Sequence, residues 1–470
     1  MFFPGLRWWP LVVATTLSAC AVGPDYRPPT PAVLALPEGY SSQPGPALDE
    51  GVLRLWWQRF DDPLLADLVT RAAEYNHGVE AASARLRVAR AALRGSRGAF
   101  WPTLDASLDA NTTDVSDTRG GAVESWQAGF DAGWEIDLFG GTRRSVEAAR
   151  AELHVAEATL ADVRNSIAAE VALNYIEARS AQARIRVARD NLGYQDETLQ
   201  IAQWRNQAGL VSSQDVEQAT VQRSQTAAAV PQLRATYAAA ANRIAVLTGQ
   251  APGQVTARLD VESDIPVGPD DPATGVPAEL LRRRPDLVAA ERALAAEVAR
   301  IGVAESRLYP ALRLGGSIGS AAASLGDVGS VLTTTLGSSL AAPLFQGGQL
   351  RAQLQGQRAS ADAALANYEG AVLGAVEDVE NALTAMETSK EREATLLVAE
   401  QAADRSALLA RARYRSGLAD FESLLEANRS LLTTQESRLT AKAARATAVV
   451  QLFKALGGGW PPQADTMTRR

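Results

Sequence analysis

Two glutamates late in the chain have a spacing that could form a shared ionic site. Glu422 and Glu426 are four residues apart in a helical pattern, so both carboxylates lie on the same helix face. Carboxylates grouped in this way attract cations and repel one another. The alternative is an ordinary solvated helix face, on which Glu426 pairs with Arg429 three residues further on.

Cys20 is the only cysteine of the chain. It follows a basic residue, Arg7, a short apolar stretch and the small residues Ser18 and Ala19. This layout predicts a signal peptide over residues 1–19, and a cysteine at the cleavage point is typical of bacterial lipoproteins. We expect acylation of Cys20, which would anchor the chain at the periplasmic side of an outer membrane. The alternative is a signal peptide with an incidental cysteine.

Catalytic, metal-binding and nucleic-acid-binding sites are not indicated. His77 and His154 are isolated, and the sequence has no paired histidines, cysteine cluster or nucleophile motif. The net charge is −8 and no basic run opposes it, which argues against a nucleic-acid partner. Only three methionines are present, which argues against a transport path dedicated to copper or silver ions. We therefore expect no enzyme activity and no cofactor.

The segments that must position these residues occur twice. Gly209 recurs as Gly417 and Gly249 as Gly457, both at an offset of 208 residues, and Pro102 recurs at the same offset as Pro310. A period this long predicts a duplicated domain. We expect an N-terminal arm over 20–61, repeat 1 over 62–249, a linker over 250–277, repeat 2 over 278–457 and a tail over 458–470.

Each repeat contains two alternating strands, expected as β-hairpins over 102–137 and 310–343. In the first hairpin Trp126, Phe130 and Trp134 share one face, while Asp131 and Glu135 lie on the other. Strands of about 9–11 residues with this alternation are typical of a transmembrane β-barrel. A half-solvated soluble sheet has the same period. Aromatic residues near the strand ends and carboxylates on the polar face favour the barrel.

Four strands per chain cannot close a membrane barrel, because the smallest such barrels have about eight and an open edge is not tolerated in lipid. The strands must therefore be shared between chains. A dimer would supply eight strands and a trimer twelve, and the count alone does not choose between them. An open lumen lined by acidic side chains favours the larger number.

A very long helix follows each hairpin, over 143–208 and 351–416. At 1.5 Å per residue each would measure about 100 Å, which predicts coiled-coil packing. Gly209 and Gly417 end these helices at tips from which return helices run to Leu247 and Leu456. Pro231 predicts a kink or break in the first return helix.

Five motifs resemble those of TolC-like outer-membrane factors, most closely the OprM/NodT-type efflux lipoproteins. In chain order they are C-A-V-G-P-D-Y from Cys20, Trp56-Trp57 followed by Phe60 and Asp62-Pro63, W-E-I-D-L-F-G-G (134–141), R-R-R-P-D-L (282–287) and A-L-G-G-G-W (455–460). The resemblance implies an α+β membrane protein, a homotrimer with one twelve-stranded barrel and a long α-helical periplasmic tunnel. It also implies docking to a periplasmic adaptor protein and, through it, to an inner-membrane pump of the RND type.

Two candidate sites follow from the repeats and the resemblance. The tips, Gly209, Leu210 and Val211 in repeat 1 and Gly417 and Leu418 in repeat 2, are expected to contact the adaptor. The alternative is a hydrophobic contact inside each hairpin turn, and both can hold.

The second site is an aperture at the tunnel end. The positions that match Glu422 and Glu426 in repeat 1 are the neutral residues Gln214 and Gln218. By resemblance the second hairpin lines the pore, so each glutamate would form a ring of three in a trimer.

These features together predict a passive outer-membrane exit duct of a three-part efflux pump for small molecules such as drugs or toxic compounds. A duct for type I protein secretion and a lipid-anchored periplasmic scaffold with a soluble sheet remain as alternatives.

Overall fold

The computed structural model describes residues 21–31, 34, 36–37, 39–40, 50–114, 122–270, 275 and 277–459. Cys20, the predicted signal peptide and residues 460–470 of the predicted tail lie outside the described residues. The helices are α1 Glu50–Arg54, α2 Pro63–Tyr75, α3 His77–Gly98, α4 Gly141–Gln207, α5 Ser213–Leu247, α6 Thr256–Leu259, α7 Pro277–Arg283, α8 Pro285–Ser306, α9 Gln349–Arg415 and α10 Phe421–Ala455. The strands are β1 Thr103–Asp114, β2 Ala122–Ile136, β3 Ala311–Ala322 and β4 Thr333–Ala341.

The chain divides into two compact units. A sheet unit contains residues 21–30, 84–157 and 289–370, and a hairpin unit contains most of the remaining described residues. The sheet unit carries all four strands just named, and the hairpin unit carries both helix tips.

The strands form one antiparallel sheet in the order β1-β2-β3-β4. Directly opposed residues share a face, and Phe130 lies opposite Ala106 on one side and Ile318 on the other. The next residue, Asp131, lies opposite Asp105 and Ser317. The register therefore combines the apolar faces of the strands into one apolar face of the sheet and leaves the carboxylates on the opposite face.

The duplication predicted from the sequence extends to the packing of the helices. Both long helices have 67 residues and both return helices have 35. Where α3 packs on α4, Leu93, Val146 and Leu153 form a cluster. Where α8 packs on α9, a cluster contains Ile301, Leu354 and Ala361, each 208 residues after its counterpart. The two repeats therefore bury equivalent side chains.

Pro231 does not break its helix, because α5 continues through it from Ser213 to Leu247. Proline removes one backbone donor and crowds the preceding turn. Val230 and Leu233 on either side are buried, and most helical stability in proteins comes from such packing. The predicted break at this position is therefore excluded, and the predicted kink stays a prediction.

Arg179 of α4 connects three parts of the hairpin unit, and only 2% of its surface is exposed. Its guanidinium donates to the carbonyl oxygens of Leu259 and Val261 at 3.0 and 2.7 Å, and to the Tyr175 hydroxyl at 3.0 Å. The Tyr175 hydroxyl in turn donates to Asp62 at 2.6 Å. Burial, together with the Asp62 carboxylate, raises the pKa of Tyr175. The contacts fix the segment after α5 to the middle of α4.

Two of the motifs that support the family resemblance also make packing contacts within the hairpin unit. The Trp56 ring stacks on Phe453 with centroids 5.7 Å apart. Arg284 pairs with Asp286 at 2.8 Å and with Asp378 of α9 at 2.9 Å. Both motifs therefore hold segments that are distant in sequence.

The first described residues form an arm that is bound along the sheet unit. Gly23 lies so close to α8 that a Cβ on it would fall 2.4 Å from the Gly302 Cα. The buried Arg144 donates to the carbonyl oxygens of Val22 and Gly23, both at 3.2 Å, and to Asp25 at 2.7 Å. The arm therefore begins beside the junction of β2 and α4.

Candidate functional site: the hairpin tips and the carboxylate faces

Both helix tips have the backbone geometry of a Schellman turn. Gly209 and Gly417 each have a φ of +72°. The Leu210 amide donates to the Arg205 carbonyl at 2.8 Å, and the Leu418 amide donates to the Arg413 carbonyl at 2.8 Å. A six-to-one bond of this kind satisfies carbonyl groups that the helix end would otherwise leave unpaired.

The side chains at the tips are not buried by this turn. Leu210 is 73% exposed and Leu418 is 79% exposed. A hydrophobic contact often accompanies the Schellman turn, but these leucines bury little surface within the chain. The turn therefore supplies the backbone geometry and leaves both apolar side chains available for another surface.

The return helices begin immediately after the tips with side-chain caps. Ser212 accepts from the Asp215 amide at 3.3 Å, and Asp215 accepts from the Ser212 amide at 3.1 Å. Asp420 caps α10 by accepting from the Ser423 amide at 2.8 Å. Hydrogen bonds from Ser423 lower the pKa of Asp420, so this cap stays ionised at neutral pH. The caps define where each hairpin reverses.

A contact between the two hairpins lies just behind the tips. The Arg205 guanidinium carbon is 4.4 Å from the centroid of the Tyr414 ring, and Arg205 also donates to the Tyr414 carbonyl at 2.8 Å. Tyr414 is buried in a cluster with Phe421 and Leu424. This contact was not predicted from the sequence. The available signal was the aromatic residue at 414, whose counterpart 208 residues earlier is Asn206.

The carboxylate pair lies on the solvent side of α10, one turn after the repeat-2 tip. Glu422 and Glu426 are both exposed. Arg429, the alternative partner of Glu426, instead donates to the Gln222 side chain at 2.9 Å. Neither carboxylate has a hydrogen bond or ion pair with another described residue. The pairing of Glu426 with Arg429, which was part of the alternative interpretation, is therefore not formed in this structure.

A second set of carboxylates lies on the polar face of the sheet. Asp105 and Asp131 are directly opposite each other on β1 and β2. Glu135 pairs with Arg313 across β2 and β3 at 3.0 Å. Like charges opposite each other destabilise a sheet, so a face of this kind is suited to water and counter-ions rather than to a packed core.

Other kinds of site receive no support from the described part of the chain. No group of three or more acidic, histidine or cysteine residues there is arranged to hold a metal ion. His77 and His154 each contact a glutamate three residues on, at 3.2 and 3.1 Å. None of the described helices combines the length and the low charge that a membrane-spanning helix requires.

Comparison with known proteins agrees with this arrangement. The model of the outer membrane efflux protein family matches twice, at residues 68–250 and 276–458. Nodulation protein T of Rhizobium leguminosarum bv. viciae is 33% identical and aligns with 89% of this chain and 86% of its own. The pyoverdine export outer membrane protein OpmQ of Pseudomonas putida is 32% identical over 98% of each chain.

A solved structure gives the same result for the fold. The outer-membrane channel OprN superposes with a TM-score of 0.84 at 36% identity, covering 94% of this chain and all of the other. The four strands and the long helical hairpins are those of a β-barrel and a helical tunnel, as in such channels. From the two family matches and these alignments over nearly the whole chain, we conclude that the protein belongs to the outer membrane efflux protein family.

Proposed function

We propose that three copies of this chain form the exit duct of an efflux pump and pass small molecules out through the outer membrane. The observation that carries the proposal is the sheet, which has one apolar face, one acidic face and two edge strands, β1 and β4. Lipid does not tolerate free strand edges, so the edges require other copies. Twelve strands leave room for an open, acidic lumen.

Energy for transport comes, in this proposal, from an inner-membrane pump that a periplasmic adaptor joins to the duct. Small molecules are favoured over proteins as the cargo, because one relative is named for the export of pyoverdine. The test is the conductance of the purified protein in planar lipid bilayers. We expect cation-selective channels, and a purified trimer that inserts without conducting would contradict the proposal.

The aperture of the duct is assigned to Glu422 and Glu426. Both carboxylates are exposed and have no cationic partner among the described residues, and their repeat-1 counterparts are the neutral Gln214 and Gln218. Rings of three glutamates would select cations.

Replacing both glutamates by alanine should raise the single-channel conductance and lower the preference for cations about twofold or more. The double glutamine variant, which copies the repeat-1 residues, should lower the cation preference while keeping the side-chain volume. Reversal potentials in a salt gradient measure the effect. Unchanged current and selectivity in both variants would show that these carboxylates lie away from the constriction.

The tips are assigned to adaptor docking, through Gly209, Leu210, Val211, Gly417 and Leu418. Changing both Leu210 and Leu418 to aspartate should abolish the adaptor contact without loss of folding, since both side chains are exposed. Val261→Asp is the control, because Val261 is 69% exposed but lies outside the hairpins. Photo-cross-linkers placed at the tips in cells measure the contact. An adaptor yield that is equal in wild type and the double variant would exclude the tip leucines.

The anchor is assigned to Cys20. The arm that follows it is bound at the strand–helix junction, where the Val22 amide donates to the Phe139 carbonyl at 3.0 Å. An acyl chain on Cys20, two residues before Val22, would therefore enter lipid beside the sheet. Mass spectrometry of the N-terminal peptide should show acylation that Cys20→Ser removes. A free, unmodified thiol on the mature protein would rule out the anchor.

A further inference from the structure

Each of the four junctions between a strand and a helix has an arginine close to an aromatic residue. Arg97 precedes Trp101 by four residues, and Arg143 follows Phe139 by four. In the second repeat Arg307 precedes Tyr309 by two residues, and Arg351 follows Phe345 by six. The pattern occurs in both repeats, although the surrounding sequence differs.

Three of these arginines are exposed and have no carboxylate partner among the described residues. They are Arg97, Arg307 and Arg351. The fourth, Arg143, is partly buried and pairs with Asp137 at 3.4 Å. The three exposed guanidinium groups are therefore free to bind an anion.

The register places all four junctions at the same end of the sheet. Thr103 pairs with Gly133 near the end of β2, Ile136 pairs with Leu312, and Ala311 pairs with Ala341. The aromatic residues lie at this end too. Trp101 is 74% exposed, and Phe139 stacks on Tyr309 with ring centroids 4.7 Å apart.

The opposite end of the sheet has a different charge. Its described residues include Asp114, Glu124 and Asp327, and no lysine or arginine is among those described there, over 111–114, 122–125 and 319–333. Among the described residues near the two ends of the sheet, the arginines therefore lie at the end from which the helices leave.

We propose that Arg97, Arg307 and Arg351 form a basic belt that binds the phosphate groups of anionic phospholipids in the membrane leaflet next to the helices. Aromatic girdles mark the boundary between the hydrocarbon and the headgroups. An arginine two to six residues beyond that boundary lies at the depth of the headgroups. Guanidinium groups match phosphate oxygens with two parallel hydrogen bonds.

The belt fixes the depth of the sheet in the membrane from one side. Aromatic rings hold the sheet at the boundary, while the arginines resist movement of this end into the hydrocarbon. The proposal rests on the membrane placement of the sheet and does not depend on channel activity.

The experiment measures lipid binding by the full-length protein in detergent, by native mass spectrometry, with phosphatidylglycerol and phosphatidylcholine as probes. A basic residue at a lipid surface strengthens binding about fivefold. Wild type should prefer phosphatidylglycerol, and the triple variant Arg97→Gln, Arg307→Gln, Arg351→Gln should lose a preference on the order of a hundredfold. Binding of phosphatidylcholine, whose phosphate charge is neutralised by its choline, should fall far less, and its retention also reports that the variant is folded.

A matched control removes three exposed arginines of the hairpin unit, Arg234, Arg392 and Arg405, by the same change to glutamine. The control should keep the wild-type preference. A loss of less than about tenfold in the belt variant, or an equal loss in the control, would overturn the proposal. So would dissociation of the oligomer by the belt variant, because the arginines would then bind a second copy. A wild-type protein whose preference is abolished by millimolar inorganic phosphate would show that a free anion, and not a lipid, occupies the belt.

Discussion

Phe130→Arg is expected to prevent stable assembly of the sheet in the outer membrane. Phe130 lies in the middle of β2 on the apolar face, opposite Ala106 and Ile318, and is exposed in the single chain. Arginine on the lipid side of a barrel costs about 2–4 kcal/mol near the bilayer midplane. The measurement is the fraction of protein recovered as oligomer from the outer membrane, which should fall strongly.

The neighbouring substitution Asp131→Arg is the matched control. Asp131 is one residue further along the same strand, on the acidic face and opposite Asp105. The new cation would face water and a carboxylate, so assembly should persist and the cation preference of the channel should fall. If both variants assembled equally well, or if only Asp131→Arg failed, the assignment of the two faces would be wrong.

Arg179→Met is expected to destabilise the hairpin unit by about 1–3 kcal/mol. Methionine fills much of the same volume but donates no hydrogen bond. The carbonyl groups of Leu259 and Val261 would lose a donor, and the Tyr175 hydroxyl would lose a partner. A buried polar group without a partner costs about 1–3 kcal/mol. Thermal loss of helical circular dichroism should begin at a clearly lower temperature.

Arg186→Met provides the comparison for this prediction. Arg186 lies seven residues further along α4 and pairs with Glu262 at 3.4 Å and Asp264 at 3.7 Å, but its side chain is 41% exposed and both carboxylates are largely exposed. Exposed ion pairs contribute about 0–1 kcal/mol. A shift for Arg186→Met as large as that for Arg179→Met would mean that the buried network adds nothing beyond an ordinary surface charge.

The offset between the repeats and the strand and helix periodicities of the apolar residues allowed the fold to be predicted from the sequence. Alternation from Trp126 to Ile136 allowed only a strand with one apolar face, and the glycines at 209 and 417 placed the tips. Pro231 shows that the local rule did not decide whether the helix ends there. Its intrinsic effect is unfavourable, but burial of Val230 and Leu233 beside it keeps the helix intact.

The candidate sites were harder to predict from the sequence, because they depend on contacts between side chains that are far apart along the chain. The spacing of Glu426 and Arg429 fits an ion pair on one helix, yet Arg429 bonds to Gln222, which is 207 residues away in sequence. The aromatic residue at 414, where repeat 1 has Asn206, was a signal for the contact between Arg205 and Tyr414, but it does not identify Arg205 as the partner.

The sequence by itself determined the duplication, the alternating strands, the long hairpins and the need for more than one chain, because these follow from periodicity, length and unpaired strand edges. Only the tertiary structure decided which partners the charges have. It left Glu422 and Glu426 without a described partner and buried Arg179. It also brought four separate strand–helix junctions to one end of the sheet. The physical reason is that a charge is stabilised by groups within a few ångströms, and in this fold those groups are often some 80 to 200 residues away along the chain.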